Sequence, residues 1–267
     1  MRVALVQMTS TDRVDENLEV ARRAVREAVD RGAEFVALPE NFAFLRREGS
    51  PIPCAQRFDG EIIASVRSLA REHRVPILAG SFAEAIEDDP RVHNTSALIA
   101  ESGEIAAVYR KIHLFDVDLR ESGGGVFRES AFTAPGKELV VADTPFGRLG
   151  LSICYDVRFP ELYRELAARG AQWIAVPSAF APQTGKVHWE VLLRARAIEN
   201  QVFVLAPAQC GQHSPDRASH GRSLVIDPWG QILAEAGDEP CVLVADCDLD
   251  SLERVRERLP ALAHRKL

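Results

Sequence analysis

Long apolar runs are missing from this chain of 267 residues. Its hydrophobic stretches are strand-sized and broken by charge, far short of the ~20 residues that a bilayer-spanning helix needs. Positive charge is not in excess either. Lys and Arg number 32 against 39 Asp and Glu, a formal charge of −7, so there is no overall basic field to hold a phosphate backbone or an anionic membrane surface. Neither nucleic acid nor membrane is an expected partner. Cysteine is sparse and odd in number: Cys54, Cys154, Cys210, Cys241 and Cys247 suit reduced thiols better than a disulfide framework. Met1-Arg2 runs straight into Val3-Ala4-Leu5-Val6-Gln7, too short for the apolar core of a secretory leader, and no small-residue cleavage site follows. A cytoplasmic protein is the expectation.

What the chain does have is 46% apolar and 27% charged residues, enough for a large globular core. No Pro/Ser-rich linker, low-complexity tract or internal repeat divides it, so residues 1–267 are expected to form one domain. Short β-branched runs alternate with amphipathic ones. The pattern predicts a strand at 3–6, a helix at 15–31 closed by Gly32, a strand at 35–38, a helix at 61–73 and a strand at 75–79. A hairpin follows around Glu101-Ser102-Gly103-Glu104. Residues 110–135 read as a long irregular segment, which in a compact domain is usually functional. Beyond it, strands are predicted at 139–142, 149–153, 173–176, 202–206, 223–226, 231–234 and 241–245, with helices at 161–168, 188–200 and 249–258. Many strands and few helices suggest two packed sheets with helices outside.

Three polar residues stand at the ends of apolar runs: Glu40 after Phe35-Val36-Ala37-Leu38-Pro39, Lys111 after Ala107-Val108-Tyr109-Arg110, and Cys154 after Leu149-Gly150-Leu151-Ser152-Ile153. Ligands of α/β sheets bind beyond the carboxyl ends of strands, where residues distant in sequence can converge. A thiol needs a base to take its proton or a cation to stabilise the thiolate, and Glu40 and Lys111 offer one of each. Lys111 and the Tyr155 N–H could then hold an oxyanion. Taken singly, a strand-end cysteine is usually a small core residue, and a strand-end Glu or Lys a solvated one.

The local words sharpen this reading. Leu38-Pro39-Glu40-Asn41-Phe42, Tyr109-Arg110-Lys111-Ile112-His113-Leu114-Phe115-Asp116 and Cys154-Tyr155-Asp156-Val157-Arg158-Phe159-Pro160-Glu161 resemble, in order, the three signatures of the nitrilase (carbon-nitrogen hydrolase) superfamily. The resemblance runs from Val3 to about Pro260 and is nearest to the Nit amidase branch. It implies an α/β fold, a four-layer α-β-β-α sandwich of two mixed sheets, with Glu40, Lys111 and Cys154 as catalytic triad. It also implies a small-molecule amide substrate, no cofactor or metal, and a homodimer or higher homo-oligomer in which the helix after Cys154 meets its mate. A further family glutamate in a Glu-Ser word before a Pro-Gly turn matches Glu129-Ser130 ahead of Pro135-Gly136; Glu121-Ser122 precedes Gly123-Gly124-Gly125 instead. Residues 189–199, Ala208-Gln209-Cys210-Gly211, Arg217-Ala218-Ser219 and Asp227-Pro228-Trp229-Gly230 resemble amidases acting on deaminated glutathione. Activity on α-ketoglutaramate or N-carbamoyl amino acids is the alternative, and a catalytically retired scaffold the reading of another class.

Other chemistry finds little support. Cys241 and Cys247 lack a Cys-x-x-Cys partner pair, and His113, His188, His213 and His220 lack paired ligand spacing, so a metal site is not expected. Cys210 reads as a loop or pocket-wall residue, and Cys54 as incidental. There is no Gly-x-Ser-x-Gly elbow, and Gly185-Lys186 is followed by Val187, which breaks a phosphate loop. Arg158, Lys186, Arg217 and Arg222 are candidates to grip a substrate carboxylate.

Overall fold

The computed structural model describes residues 1–266. Two mixed sheets lie face to face. Across the first, the order is Cys241–Asp246, Arg2–Gln7, Phe35–Ala37, Ile77–Leu78, Val92–Ile99 and Phe82–Ala85, and Ile105–Arg110 also pairs with Val92–Ile99. The second runs Ile232–Glu235, Leu224–Ile226, Phe203–Ala206, Trp173–Ala175, Gly147–Leu151 and Val141–Thr144. In each sheet the three inner strands that alternate with helices are parallel, and those joined by hairpins are antiparallel.

The two-residue period of a strand explains the layers. In the first sheet Val3, Leu5, Phe35 and Ala37 turn inward and pack with Leu149, Leu151, Trp173, Phe203 and Leu205 of the second. Their neighbours Ala4, Val6, Val36 and Leu38 turn outward and pack under the helices Val14–Asp30 and Glu61–His73. Both faces are covered, so these strands read as unbroken apolar runs. Pro160–Ala168 and Pro182–Asn200 cover the second sheet, completing the α-β-β-α order. An aromatic column joins the layers: Phe35 meets Phe146 at 5.0 Å, Phe146 meets Trp173 edge-on at 5.6 Å, and Trp173 stacks on Phe203 at 4.2 Å.

Most elements fall within two residues of their expected bounds. Three differ. The Pro182–Asn200 helix begins six residues earlier than expected, because Pro182 serves at its first turn and Gly185 packs against the His220 ring, hiding the helical pattern. Residues 110–135 are not wholly irregular: Asp116–Asp118 pairs with Val126–Arg128. The polar hairpin Cys210–Ser214 with Arg217–His220 carries no apolar alternation to announce it. Among the described residues no helix is long and apolar enough to cross a membrane.

Trp173 is 1% exposed and in contact with two other rings. Trp173→Ala should cost about 3–5 kcal/mol of unfolding free energy, read as a lower denaturant midpoint with little change in slope. A loss below about 1 kcal/mol would mean that this column does not hold the sheets together.

Candidate active site

Glu40, Lys111 and Cys154 each follow the end of a strand, and the two sheets bring these ends to the floor of one cavity that opens to solvent. Local backbone fixes each. Behind Glu40 the chain passes so close to Gly80 that a Cβ there would lie 1.9 Å from the Pro39 carbonyl oxygen. The Lys111 N–H donates to the Asn94 carbonyl at 2.9 Å, extending the hairpin by one rung. Cys154 adopts φ of 47°, in the left-handed region that non-glycine residues occupy at a cost, and its N–H donates to the Pro177 carbonyl at 3.0 Å. That sharp turn starts the 3-10 helix Cys154–Arg158, so Tyr155 follows the thiol onto the cavity wall.

Lys111 is the hub. Its Nζ donates to Glu40 Oε1 at 3.0 Å and to Glu129 Oε1 and Oε2 at 3.1 and 2.9 Å. The ammonium is 2% exposed. The Asn94 amide donates to Glu40 Oε1 at 2.9 Å and to Glu129 Oε1 at 3.3 Å, tying the two carboxylates together. Main-chain N–H groups complete the set: Glu40 Oε2 accepts from Ala179 at 2.8 Å, and Glu129 Oε2 accepts also from Phe115 at 2.7 Å.

Burial opposes the charge on both partners, and the ion pairing overcomes it. Desolvation would raise the Glu40 carboxyl, but the Lys111 charge and hydrogen bond hold it below the ordinary carboxylate value. Desolvation would likewise lower Lys111, but Glu129 and then Glu40 hold it well above the ordinary ammonium value. The Cys154 thiol is pushed up, first by burial and next by the Glu40 charge, against the pull of Lys111. The resting site is therefore a carboxylate, an ammonium and a neutral thiol, with a base beside the thiol.

A second anchor connects the two loops. Asp156 is fully buried, and its carboxylate accepts the Tyr109 hydroxyl at 2.6 Å, the His113 N–H at 3.0 Å and the Ile153 N–H at 2.9 Å, with His113 Nδ1 at 2.8 Å. Tyr109 and His113 flank Lys111 by two residues on either side; Ile153 and Asp156 flank Cys154. Reading the sequence overlooked both Asp156 and Asn94. A polar Asn inside an apolar strand, and an acid two residues past the thiol, are the signals that were available.

The other candidates separate. Glu121 is exposed and does not line the cavity. Contrary to expectation, Cys210 is not on the cavity wall: it starts a hairpin strand and is buried against Thr9. Arg217 lines the cavity, Arg158 lies over the Tyr155 and Phe180 rings, Lys186 is exposed, and Arg222 pairs with Glu235 and Asp238. Arg46 and Arg128 are further cavity cations that the sequence reading did not name. Among the described residues no group of three His, Cys, Asp or Glu side chains could hold a metal ion.

Comparison with known proteins agrees with this geometry. The carbon-nitrogen hydrolase family model matches residues 2–257. A deaminated glutathione amidase of Synechocystis sp. is 46% identical over 265 residues, covering 98% of this chain and 97% of that protein. The crystal structure of the C. elegans NitFhit protein superposes with a TM-score of 0.90 at 39% identity, over 99% of this chain and 65% of that one. A mutant of the amidase from Nesterenkonia sp. AN1, its active-site cysteine carrying acrylamide by Michael addition, is 31% identical with a TM-score of 0.78 and covers 98% of this chain and 99% of its own. Matched along nearly its whole length in sequence and in fold, the chain belongs to the carbon-nitrogen hydrolase family and is a hydrolytic enzyme.

Proposed function

We propose that Glu40, Lys111 and Cys154 are the catalytic triad of a cysteine amidase whose substrate is deaminated glutathione. The observation that carries the chemistry is the contact of a buried ammonium with a carboxylate that also faces a thiol at the floor of an open cavity. The choice of substrate rests on the 46% identical relative that bears that activity in its name.

Glu40 takes the Sγ proton as the sulfur attacks the amide carbonyl, and Lys111 Nζ with the Tyr155 N–H holds the resulting oxyanion. The tetrahedral adduct collapses, the C–N bond breaks, and the amine leaves with the proton from Glu40. A thioester remains on Cys154. Water then gives its proton to Glu40 and attacks the thioester carbonyl; the C–S bond breaks and the sulfur regains a proton. From deaminated glutathione the products are α-ketoglutarate and cysteinylglycine. Glu129 and Asn94 keep Lys111 charged and Glu40 oriented throughout. No step draws on a metal or an organic cofactor.

Cys154→Ala should abolish turnover and leave the circular dichroism and melting profile near those of the parent. Lys111→Met should reduce kcat by on the order of 10²–10³, the cost of one lost oxyanion donor; a drop of only a few-fold would remove Lys111 from that role. The pH dependence follows from the directions of the shifts. Glu40 acts as a carboxylate and is held below its ordinary value of 4.5, so the acid limb of kcat/KM belongs below pH 4.5. Lys111 and Cys154 are both held above their ordinary values of 10.5 and 9.0, so neither brings an alkaline limb near neutrality. A plateau across the neutral range is expected, and a bell centred near neutrality would contradict this protonation state. Turnover of deaminated glutathione should exceed that of α-ketoglutaramate, an N-carbamoyl amino acid and a nitrile; preference for any of these three would replace the assigned substrate.

A further inference from the structure

We propose that Arg217 and Arg46 form a carboxylate-binding subsite at the leaving-group end of the cavity, which selects amides whose amine half carries a distal carboxylate. This deepens the amidase reading and rests on it for the direction of the substrate.

Both residues line the cavity, and the Arg217 guanidinium reaches the Arg46 main chain, its Nη1 donating to the Arg46 carbonyl at 3.0 Å. Arg46 is fixed: Glu48 lies 3.3 Å from it, the Ser50 carbonyl accepts from it at 3.3 Å, and its guanidinium sits over the Phe132 ring at 4.2 Å. Arg217 is half-buried, and among the described residues no carboxylate lies within ion-pair distance of it. Two cations thus stand on a partly desolvated wall, and Glu48 pairs with Arg46 alone. Burial and then the Arg217 charge weigh against the charge on Arg46, with Glu48 opposing them. An anion bridging the two guanidiniums relieves that repulsion, and a carboxylate fits their paired donors.

The order of the wall residues along the chain assigns this anion to the amine half of the substrate. The leaving nitrogen takes its proton from Glu40, so the departing amine lies on the Glu40 side. From Glu40 the chain continues along the cavity wall through Asn41 and Phe44 to Arg46, where Arg217 joins it. Arg158, by contrast, lies over the Tyr155 ring beside Cys154, at the thiol end. Cysteinylglycine carries one carboxylate at its far end, whereas the ammonia released from α-ketoglutaramate carries none.

The test separates binding from chemistry. Deaminated glutathione and its C-terminal carboxamide are titrated into the Cys154→Ala protein by calorimetry. The acid should bind about ten- to a hundredfold more tightly than the amide, and the two should bind alike once Arg217→Gln is added. In the active enzyme Arg217→Gln should raise KM for deaminated glutathione by a similar factor, keep kcat within about threefold and raise KM for α-ketoglutaramate by a much smaller factor. Equal binding of acid and amide by the Cys154→Ala protein, binding of neither, or an acid preference that survives Arg217→Gln overturns the subsite. Absence of turnover by the unaltered enzyme overturns the amidase reading instead, and the titrations still decide the subsite.

Discussion

Lys111, itself buried at the base of the cavity, carries one positive charge between two carboxylates and a thiol. An unpaired buried ammonium would cost several kcal/mol, and so would either carboxylate alone; the cluster exists because each charge is compensated by the others. The balance is asymmetric. Two acids face one base, and burial first, with the Glu40 charge next, keeps the thiol protonated against the pull of Lys111. A site built for a resting thiolate would need the opposite balance. In the proposed mechanism the sulfur loses its proton only as a carbonyl approaches and Glu40 accepts it, so the nucleophile forms where the electrophile already sits.

The sandwich serves this cluster by fixing the strand ends. Glu40 leaves one sheet, Cys154 the other, and Lys111 the hairpin beside Asn94. Errors in the relative placement of two sheets would separate these groups by more than a hydrogen bond tolerates. Asp156 guards against that by bonding residues on both sides of Lys111 and Cys154, and the aromatic column through Trp173 holds the sheets in register around it. Strain at Cys154 has the same origin. A non-glycine residue at φ of 47° persists because the Pro177 carbonyl and the Asp156 contacts leave the turn no other course.

Much of this is legible in the residue order, for a physical reason. Strands buried on both faces must be apolar throughout, so a charged residue soon after one, such as Glu40 after Phe35–Ala37, stands out. Helices over a sheet show their 3.6-residue period, as in Val14–Asp30 and Glu61–His73. Less visible are the features that rest on backbone pairing or on distant partners. The Cys210–Ser214 hairpin gains its bonds from main-chain groups, with polar side chains on both sides. Asn94 is informative only beside Glu40 and Glu129, 54 and 35 positions away. Asp156 in sequence is one acid among many, and burial against Tyr109 and His113 makes it structural.

Chemistry and selectivity are thus carried by different parts of the chain. The reacting groups sit where strands stop, held by sheet hydrogen bonds that a single surface change does not disturb. The cavity wall is made by the connections: the stretch from Asn41 through Ile52, the Phe115–Glu129 segment, and the tip of the 210–220 hairpin. Loops of this kind change without cost to the core, so one amidase scaffold can exchange substrates while keeping its reaction. Arg217 stands on such a tip and Arg46 in such a connection, with no part in the main-chain pairing of either large sheet. Under the proposed subsite, loss or gain of one guanidinium there alters which amine half is accepted, while the charge balance around Lys111, and with it the resting thiol, stays as it is.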